Sequence, residues 1–271
     1  MRALAFIFLS ATCYSVYAQK LPNVQQVGLR APENVKVDGK ITEWGEQLQA
    51  YNKGTEIYYT IANNADYLYL TVKATDVGII DKIIAGGLAF KINITNKKDK
   101  NGAVVTFPAY EKGKTHPYLV LGKIKDVKSN AANYTTLTDS LKSTANQKIK
   151  SEFKFIGTSG LKDIAEEIIP VYNAEGMLAA AMLGDDLHYN FELAIPLKLL
   201  AHSSTLKSFS YNIQLNGYAF GGTDLKLVRD RFLTFTGSDG KSYMMDDASP
   251  RSWSLASPTD FWGEYTLAKF K

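Results

Sequence analysis

Residues 56–76 show the clearest alternation of apolar and polar positions in the chain. They read EIYYTIANNADYLYLTVKATD, and in each half the aliphatic residues fall on one side of a period-two pattern. This alternation is typical of strands with one buried face. Residues 63–66, NNAD, separate the halves, and these residue types favour tight turns. The pattern predicts a β-hairpin whose aliphatic face must be covered by a second layer.

The same pattern returns in several short segments along the chain. Further strands are predicted at residues 35–40, 88–94, 104–110, 117–124, 150–157, 189–195, 209–216 and 261–268. Residues 176–183 are apolar throughout, which leaves a helix and a buried strand both open. Short helical turns are predicted at 41–44, 163–169 and 197–200, and the polar residues 128–147 are predicted to form a long loop.

Many short strands, frequent turn residues and little predicted helix are typical of an all-β protein. We therefore predict one antiparallel β-sandwich, jelly-roll or immunoglobulin-like, over residues 19–271. It would carry short helices and an inserted loop and strand region at about residues 96–160, where no linker composition marks a separate domain.

The first residues have the features of an export signal. Arg2 precedes an apolar run over residues 3–11, and small residues precede Gln19. This order predicts a signal peptide at residues 1–18 and a secreted, periplasmic or cell-envelope location. Lipidation of Cys13, the only cysteine, is the alternative. The apolar run is too short to span a bilayer, and we expect no membrane span.

Charge also narrows the class of partner. Loss of residues 1–18 removes Arg2 from the 31 basic side chains and leaves 27 acidic ones, a net charge of +3. A nearly neutral chain does not favour nucleic acid as a partner. We expect a monomer that binds no nucleic acid.

Several segments carry a family resemblance in their order along the chain. They are VDGKITEW at 37–44, the hairpin at 57–76, FELAIP at 191–196, YNIQLN at 211–216 and FWG at 261–263. In this order they resemble the family 9 carbohydrate-binding modules and their DOMON-like relatives. The resemblance implies a β-sandwich in which two aromatic side chains clamp a terminal sugar. One clamp would come from the loop after the hairpin, residues 77–87, which holds no aromatic residue, and the other from the loop before the last strand.

That second loop, residues 249–258, supplies the candidate platform, Trp253. A sugar stacks its C–H face on an exposed indole because the contact buries apolar area. Polar groups and tyrosines near strand ends would complete the predicted site: Arg251, Asp246, Asp247, Tyr243 and Tyr218. Trp44 is predicted instead to plug one end of the sandwich.

Two functions follow as hypotheses. The leading one is non-catalytic binding of a glycan or other extracellular polymer. The alternative is a structural or accessory protein of the cell envelope that binds a protein partner and has no sugar site.

No motif indicates catalysis. The pattern Gly-x-Ser-x-Gly does not occur, and the three histidines lack paired spacing for zinc. We expect no enzyme activity and no cofactor. The acidic pairs at 185–186 and 246–247 leave calcium open, although neither lies in a spaced Asp-x-Asp-x-Asp-Gly loop.

Overall fold

The structure, a computed structural model, describes residues 20–45, 48–111, 134–200, 206–217, 226–228, 232–236, 241–245 and 250–269. The predicted signal peptide with Cys13 and the strand predicted at 117–124 lie outside these residues. In chain order the strands are β1 (Ala50–Asn52), β2 (Ile57–Asn63), β3 (Tyr67–Ala74), β4 (Leu88–Asn93), β5 (Ala103–Ala109), β6 (Phe155–Ser159), β7 (Ile168–Pro170), β8 (Leu178–Leu183), β9 (Tyr189–Pro196), β10 (Ser208–Leu215), β11 (Lys226–Val228), β12 (Phe232–Thr236), β13 (Ser242–Met245) and β14 (Thr259–Thr266). The α-helices are α1 (Val77–Gly86), α2 (Tyr134–Glu152) and α3 (Pro250–Ala256), and 3-10 turns span Thr42–Trp44 and Leu197–Leu199.

Eleven of these strands form two antiparallel sheets. The five-stranded sheet has the order β1-β2-β3-β9-β8, and the six-stranded sheet has the order β14-β10-β4-β5-β6-β7. The strands β11, β12 and β13 form a separate three-stranded sheet in a region where the sequence pattern above predicts no strand.

The predicted hairpin is formed by β2 and β3. Its register runs from Ile57 opposite Ala74 to Asn63 opposite Leu68. The side chain of Asn64 accepts hydrogen bonds from two main-chain N–H groups of the turn, at 2.9 and 2.7 Å. An asparagine that bonds its own main chain in this way fixes a tight turn, and the turn sets the register.

The core lies between the two sheets. The hydroxyls of Tyr59 on β2 and Tyr211 on β10 lie 2.9 Å apart, and the rings of Phe107 on β5 and Phe191 on β9 have centroids 5.9 Å apart. Each contact joins one sheet to the other. The prediction of an antiparallel all-β sandwich is confirmed.

The loop predicted over residues 128–147 was wrong where the structure describes it. Residues 134–152 form helix α2, which packs on β8. Only Thr138, Ala145 and Ile149 are buried, at helical spacings of seven and four residues. Because only this narrow stripe is buried, the other positions of the helix can be polar. The sequence of the segment therefore resembles that of a loop.

Three other local predictions were also wrong. The chain at 35–40 is irregular because its N–H groups bond a carboxylate on β9 in place of a strand partner. Residues 168–170 form β7 and pair with β6, so 163–169 is not a helical turn. The loops assumed at 77–87 and 249–258 contain the helices α1 and α3. The ambiguous segment 176–183 contains a strand, β8.

Candidate functional site

Two carboxylates lie side by side where the hairpin strands meet α1 and α3. Ile57 pairs with Ala74, so the chain just before β2, with Glu56, lies beside the chain just after β3, with Asp76. Arg251 on α3 bridges them: its guanidinium donates to Asp76 at 2.7 Å and also to Glu56. These two ion pairs join the chain just before β2 and the chain just after β3 to α3.

Asp76 also caps helix α1. Its carboxylate accepts a hydrogen bond from the N–H of Ile79 at 3.1 Å, which satisfies one of the free donors at the helix start. Although burial opposes ionisation, this bond and the Arg251 guanidinium hold the pKa of Asp76 below its usual range. The carboxylate is therefore ionised at neutral pH.

A buried amine lies behind these groups. Lys82 of α1 is fully buried, and its Nζ donates to the carbonyl of Ser254 at 2.5 Å and to Oγ1 of Thr259 at 2.9 Å. Burial and the nearby Arg251 lower the pKa of Lys82 to about 8. Because these two hydrogen bonds join α1 to α3 and β14, we interpret Lys82 as a structural link between these elements.

Two tyrosines extend the carboxylate–guanidinium group across the outer face of the sheet. Tyr51 on β1 pairs with Tyr58 on β2, and their ring centroids lie 4.6 Å apart. Nζ of Lys73 lies 5.7 Å from the centre of the Tyr58 ring. Both tyrosines are half-buried, and burial followed by the charge of Glu56 raises the pKa of Tyr51.

We call Tyr51, Glu56, Tyr58, Asp76 and Arg251 the hairpin-end site. The side chains of Arg251, Glu56 and Asp76 are 40%, 33% and 45% exposed, so each is partly accessible to a ligand. Aromatic faces beside fixed polar groups suit a ligand with apolar faces and many hydroxyls. Both carboxylates are paired with the Arg251 guanidinium, which favours the ionised form of each. This arrangement does not favour a catalytic pair in which one carboxyl group acts as an acid and the other as a base.

The predicted platform Trp253 and the predicted polar residue Arg251 are both described, and their part in a glycan site stays a prediction. Both lie on α3, but positions two apart point about 200° apart around a helix. Arg251 faces the hairpin and Leu255 lies against Gly78 of α1, whereas Trp253 is partly exposed.

The other predicted site residues have no described side chain. Tyr243 lies on β13, opposite Phe235, without a described side chain, and Tyr218, Asp246 and Asp247 lie outside the described residues. Their part in a site stays a prediction.

Sequence reasoning missed Tyr51, Tyr58, Glu56 and Asp76 as a group. The period-two pattern does place Tyr58 on the outer face of β2, and Glu56 and Asp76 lie one residue before β2 and two residues after β3. What the pattern could not supply is Arg251, which is 175 residues from Asp76 in the sequence.

Trp44 occupies a different place from the one predicted. It does not plug the sandwich end. Its ring lies 5.8 Å from that of Tyr69 on the outer face of the five-stranded sheet, and its Nε1 donates to Glu192 of β9 at 2.9 Å. The same carboxylate accepts the N–H groups of Asp38 and Gly39 at 3.1 and 2.9 Å.

The described residues contain no group of three His, Cys, Asp or Glu side chains suited to a metal ion. Asp185 pairs with Lys142 at 2.7 Å, and Asp186 pairs with His188. Within the same part of the chain, no helix has the length and apolar character needed to cross a membrane.

Comparison with known proteins adds no relative. No family model, no curated protein and no solved structure matches this chain.

Proposed function

We propose that this chain is an exported, non-catalytic binding domain that holds a glycan or similar polymer at the hairpin-end site. The observation that carries the proposal is the Tyr51–Tyr58 pair, half-buried and next to the ion-paired Arg251. A sugar would lay its C–H face on the rings, and the partly exposed side chains of Glu56, Asp76 and Arg251 would bond its hydroxyls.

The fixed geometry of the site supports binding without a cofactor. The two ion pairs and the helix cap hold these side chains before a ligand arrives, which lowers the entropy lost on binding. The resemblance to family 9 modules is consistent with this proposal, although the aromatic residues come from β1 and β2 and not from the loops that the resemblance implies.

A glycan array probed with four purified proteins tests the proposal. The wild-type protein should bind a limited set of glycans, and Tyr58→Ala should weaken that binding about tenfold because a stacking ring is lost. Tyr172→Ala is the matched control, since Tyr172 is 90% exposed and lies outside the site. Trp253→Ala separates the two candidate platforms: loss of binding with this variant alone would move the site to Trp253.

The second candidate function is a structural or accessory role in the cell envelope through a protein partner. An apolar groove beside the free edge of β8 favours it. Absence of any glycan binding by the wild-type protein would leave this alternative.

A further inference from the structure

The β8 edge of the five-stranded sheet has main-chain groups that point away from the sheet. In the spatial order β8 is the last strand, and only β9 pairs with it. At one end of β8 the N–H and C=O of Leu183 bond the side chain of Asn146, at 2.7 and 2.9 Å, and not β9. Along an antiparallel strand, the main-chain N–H and C=O groups of successive residues point alternately toward the paired strand and away from it. Ala181 and Ala179, two and four residues before Leu183, therefore also direct these groups away from β9.

The opposite edge of the same sheet is covered. On β1 the N–H of Tyr51 donates to the carbonyl of Pro22 at 3.0 Å, and Asn52 bonds the carbonyl of Asn23 at 3.1 Å. The N-terminal segment thus takes the place of a neighbouring strand there. Beyond Leu183, no described segment does this for β8.

The sequence of β8 also lacks the usual protection of an edge strand. It reads LAAAML, with no charge and no proline, although natural edges are commonly blocked by such residues. An exposed apolar edge is a template for another strand.

An apolar groove runs beside this edge. Its volume is about 530 Å³, and α2 forms one wall while β8 and the segment at 37–38 form the other. Phe107, Ile149 and Phe153 lie at its base and are buried. Leu178 at the rim is 44% exposed and Tyr172 is 90% exposed. The groove can accept the side chains that an added strand would direct inward.

Charge indicates the chemistry of the occupant. Lys150 and Lys154 line the groove on the α2 side and are exposed, with Nζ of Lys154 on the carbonyl of Lys150. Asp38 is the only acidic residue among those that line the groove. The α2 side of the groove is therefore basic and complements a carboxylate.

We propose that the β8 edge and its groove bind an extended peptide segment of a partner protein as an added strand. Main-chain hydrogen bonds to Ala179 and Ala181 supply the pairing, apolar side chains enter the groove, and an acidic side chain lies near Lys150 and Lys154. This inference goes beyond the proposed glycan site, because it uses the opposite edge of the sheet and none of the same residues.

Binding of synthetic peptides, measured by fluorescence anisotropy, tests the proposal. The probes are eight-residue peptides with alternating Val and Thr and one Glu placed at each position in turn. At least one of them should bind the wild-type protein. N-methylation of alternate amides should abolish binding when it blocks the edge that faces β8, and it should be tolerated on the other edge. Equal loss from both methylation patterns would overturn the added strand.

Two charge-reversal variants test the acidic anchor. Lys150→Glu and Lys154→Glu should each weaken binding about fivefold, as expected for an exposed charge pair. Lys207→Glu is the matched control, because Lys207 is exposed and lies before β10 of the other sheet. Equal binding by all three variants, or tighter binding of the same peptides with Lys in place of Glu, would overturn the stated chemistry.

Amide hydrogen exchange locates the contact. The N–H groups of Ala179 and Ala181 should exchange quickly in the free protein and slowly with the peptide bound. Slow exchange at both amides in the free protein would show that the edge is already covered, by this chain or by a second copy, and would overturn the proposal. Failure of every peptide in the set to bind would do the same, without bearing on the glycan site.

Discussion

Glu192 shows how one buried residue ties distant segments together. Its side chain lies on the outer face of β9 and is 1% exposed, and it accepts hydrogen bonds from Trp44, Gly39 and Asp38. Burial outweighs these bonds, and the nearby Glu43 adds to the effect, so the pKa of Glu192 rises from 4.5 to about 7. The irregular segment at 37–44 is held on the sheet by this carboxyl group.

The folded protein should lose stability as pH rises through this range. Between pH 4.5 and about 7 the folded state keeps a proton on Glu192 that the unfolded chain releases, so rising pH favours unfolding. The Glu192→Gln variant has no titrating group at this position. Between pH 4.5 and about 7 the free energy of unfolding of the wild type should therefore fall by about 1–3 kcal/mol relative to that of the variant. Urea unfolding at a series of pH values measures it, and parallel curves would contradict the assignment.

A substitution at Thr71, next to Glu192, tests a buried polar group that does not titrate. It lies opposite Glu192 in the β3–β9 pair, is fully buried, and its Oγ1 has no hydrogen-bond partner within the described part of the chain. Thr71→Val should raise the free energy of unfolding by about 1 kcal/mol, because an unsatisfied buried hydroxyl is removed. The gain should be equal at every pH in the same urea experiments. A loss of stability would show that this hydroxyl has a partner.

The sequence places Glu192 on the outer face of its strand but gives no sign that this face is covered. The alternation in residues 189–195 predicts which side chains point outward. Burial of Glu192 depends on an irregular segment about 150 residues earlier, whose N–H groups it binds. Long-range pairing of this kind has no local pattern, which is why Trp44 was assigned to the wrong place.

At the scale of elements, most strands could be predicted and most helices could not. In β2, β3, β9 and β10 large apolar side chains face the second sheet at every other position, so their period is visible in the sequence although almost every residue of these strands is buried. Helix α2 buries a narrow stripe and is otherwise polar, and α1 and α3 are too short to show a helical period clearly. These helices nevertheless form the walls of the groove and of the hairpin-end site.

The attachment of α2 to the sheet should depend on Asn146. Its side chain makes two hydrogen bonds to Leu183, one as donor and one as acceptor. Asn146→Ala should lower the free energy of unfolding by about 1–3 kcal/mol and speed exchange of the Leu183 amide, because both main-chain groups lose their partner. Gln147→Ala is the matched control, since Gln147 is exposed on the same helix. Equal effects from the two variants would show that these bonds do not hold the helix.

At the scale of the whole molecule, a rigid two-sheet core presents two separate surfaces. The hairpin end joins β1, β2, α1 and α3, whereas β8 and α2 form the groove at the other edge of the five-stranded sheet. The core could be predicted because opposite-facing residues require a second layer. The surfaces could not, because each is assembled from segments far apart in the sequence.

Amide hydrogen exchange with and without a saturating glycan from the array tests whether the hairpin-end site binds the glycan. Glycan binding at this site should slow exchange in β1, at the start of β2 and in the first turn of α1, all of which adjoin Tyr51, Glu56 and Asp76. Protection confined to the cavity of about 310 Å³ lined by Ile92, Asp99 and Ala103, or to the β8 edge, would contradict it.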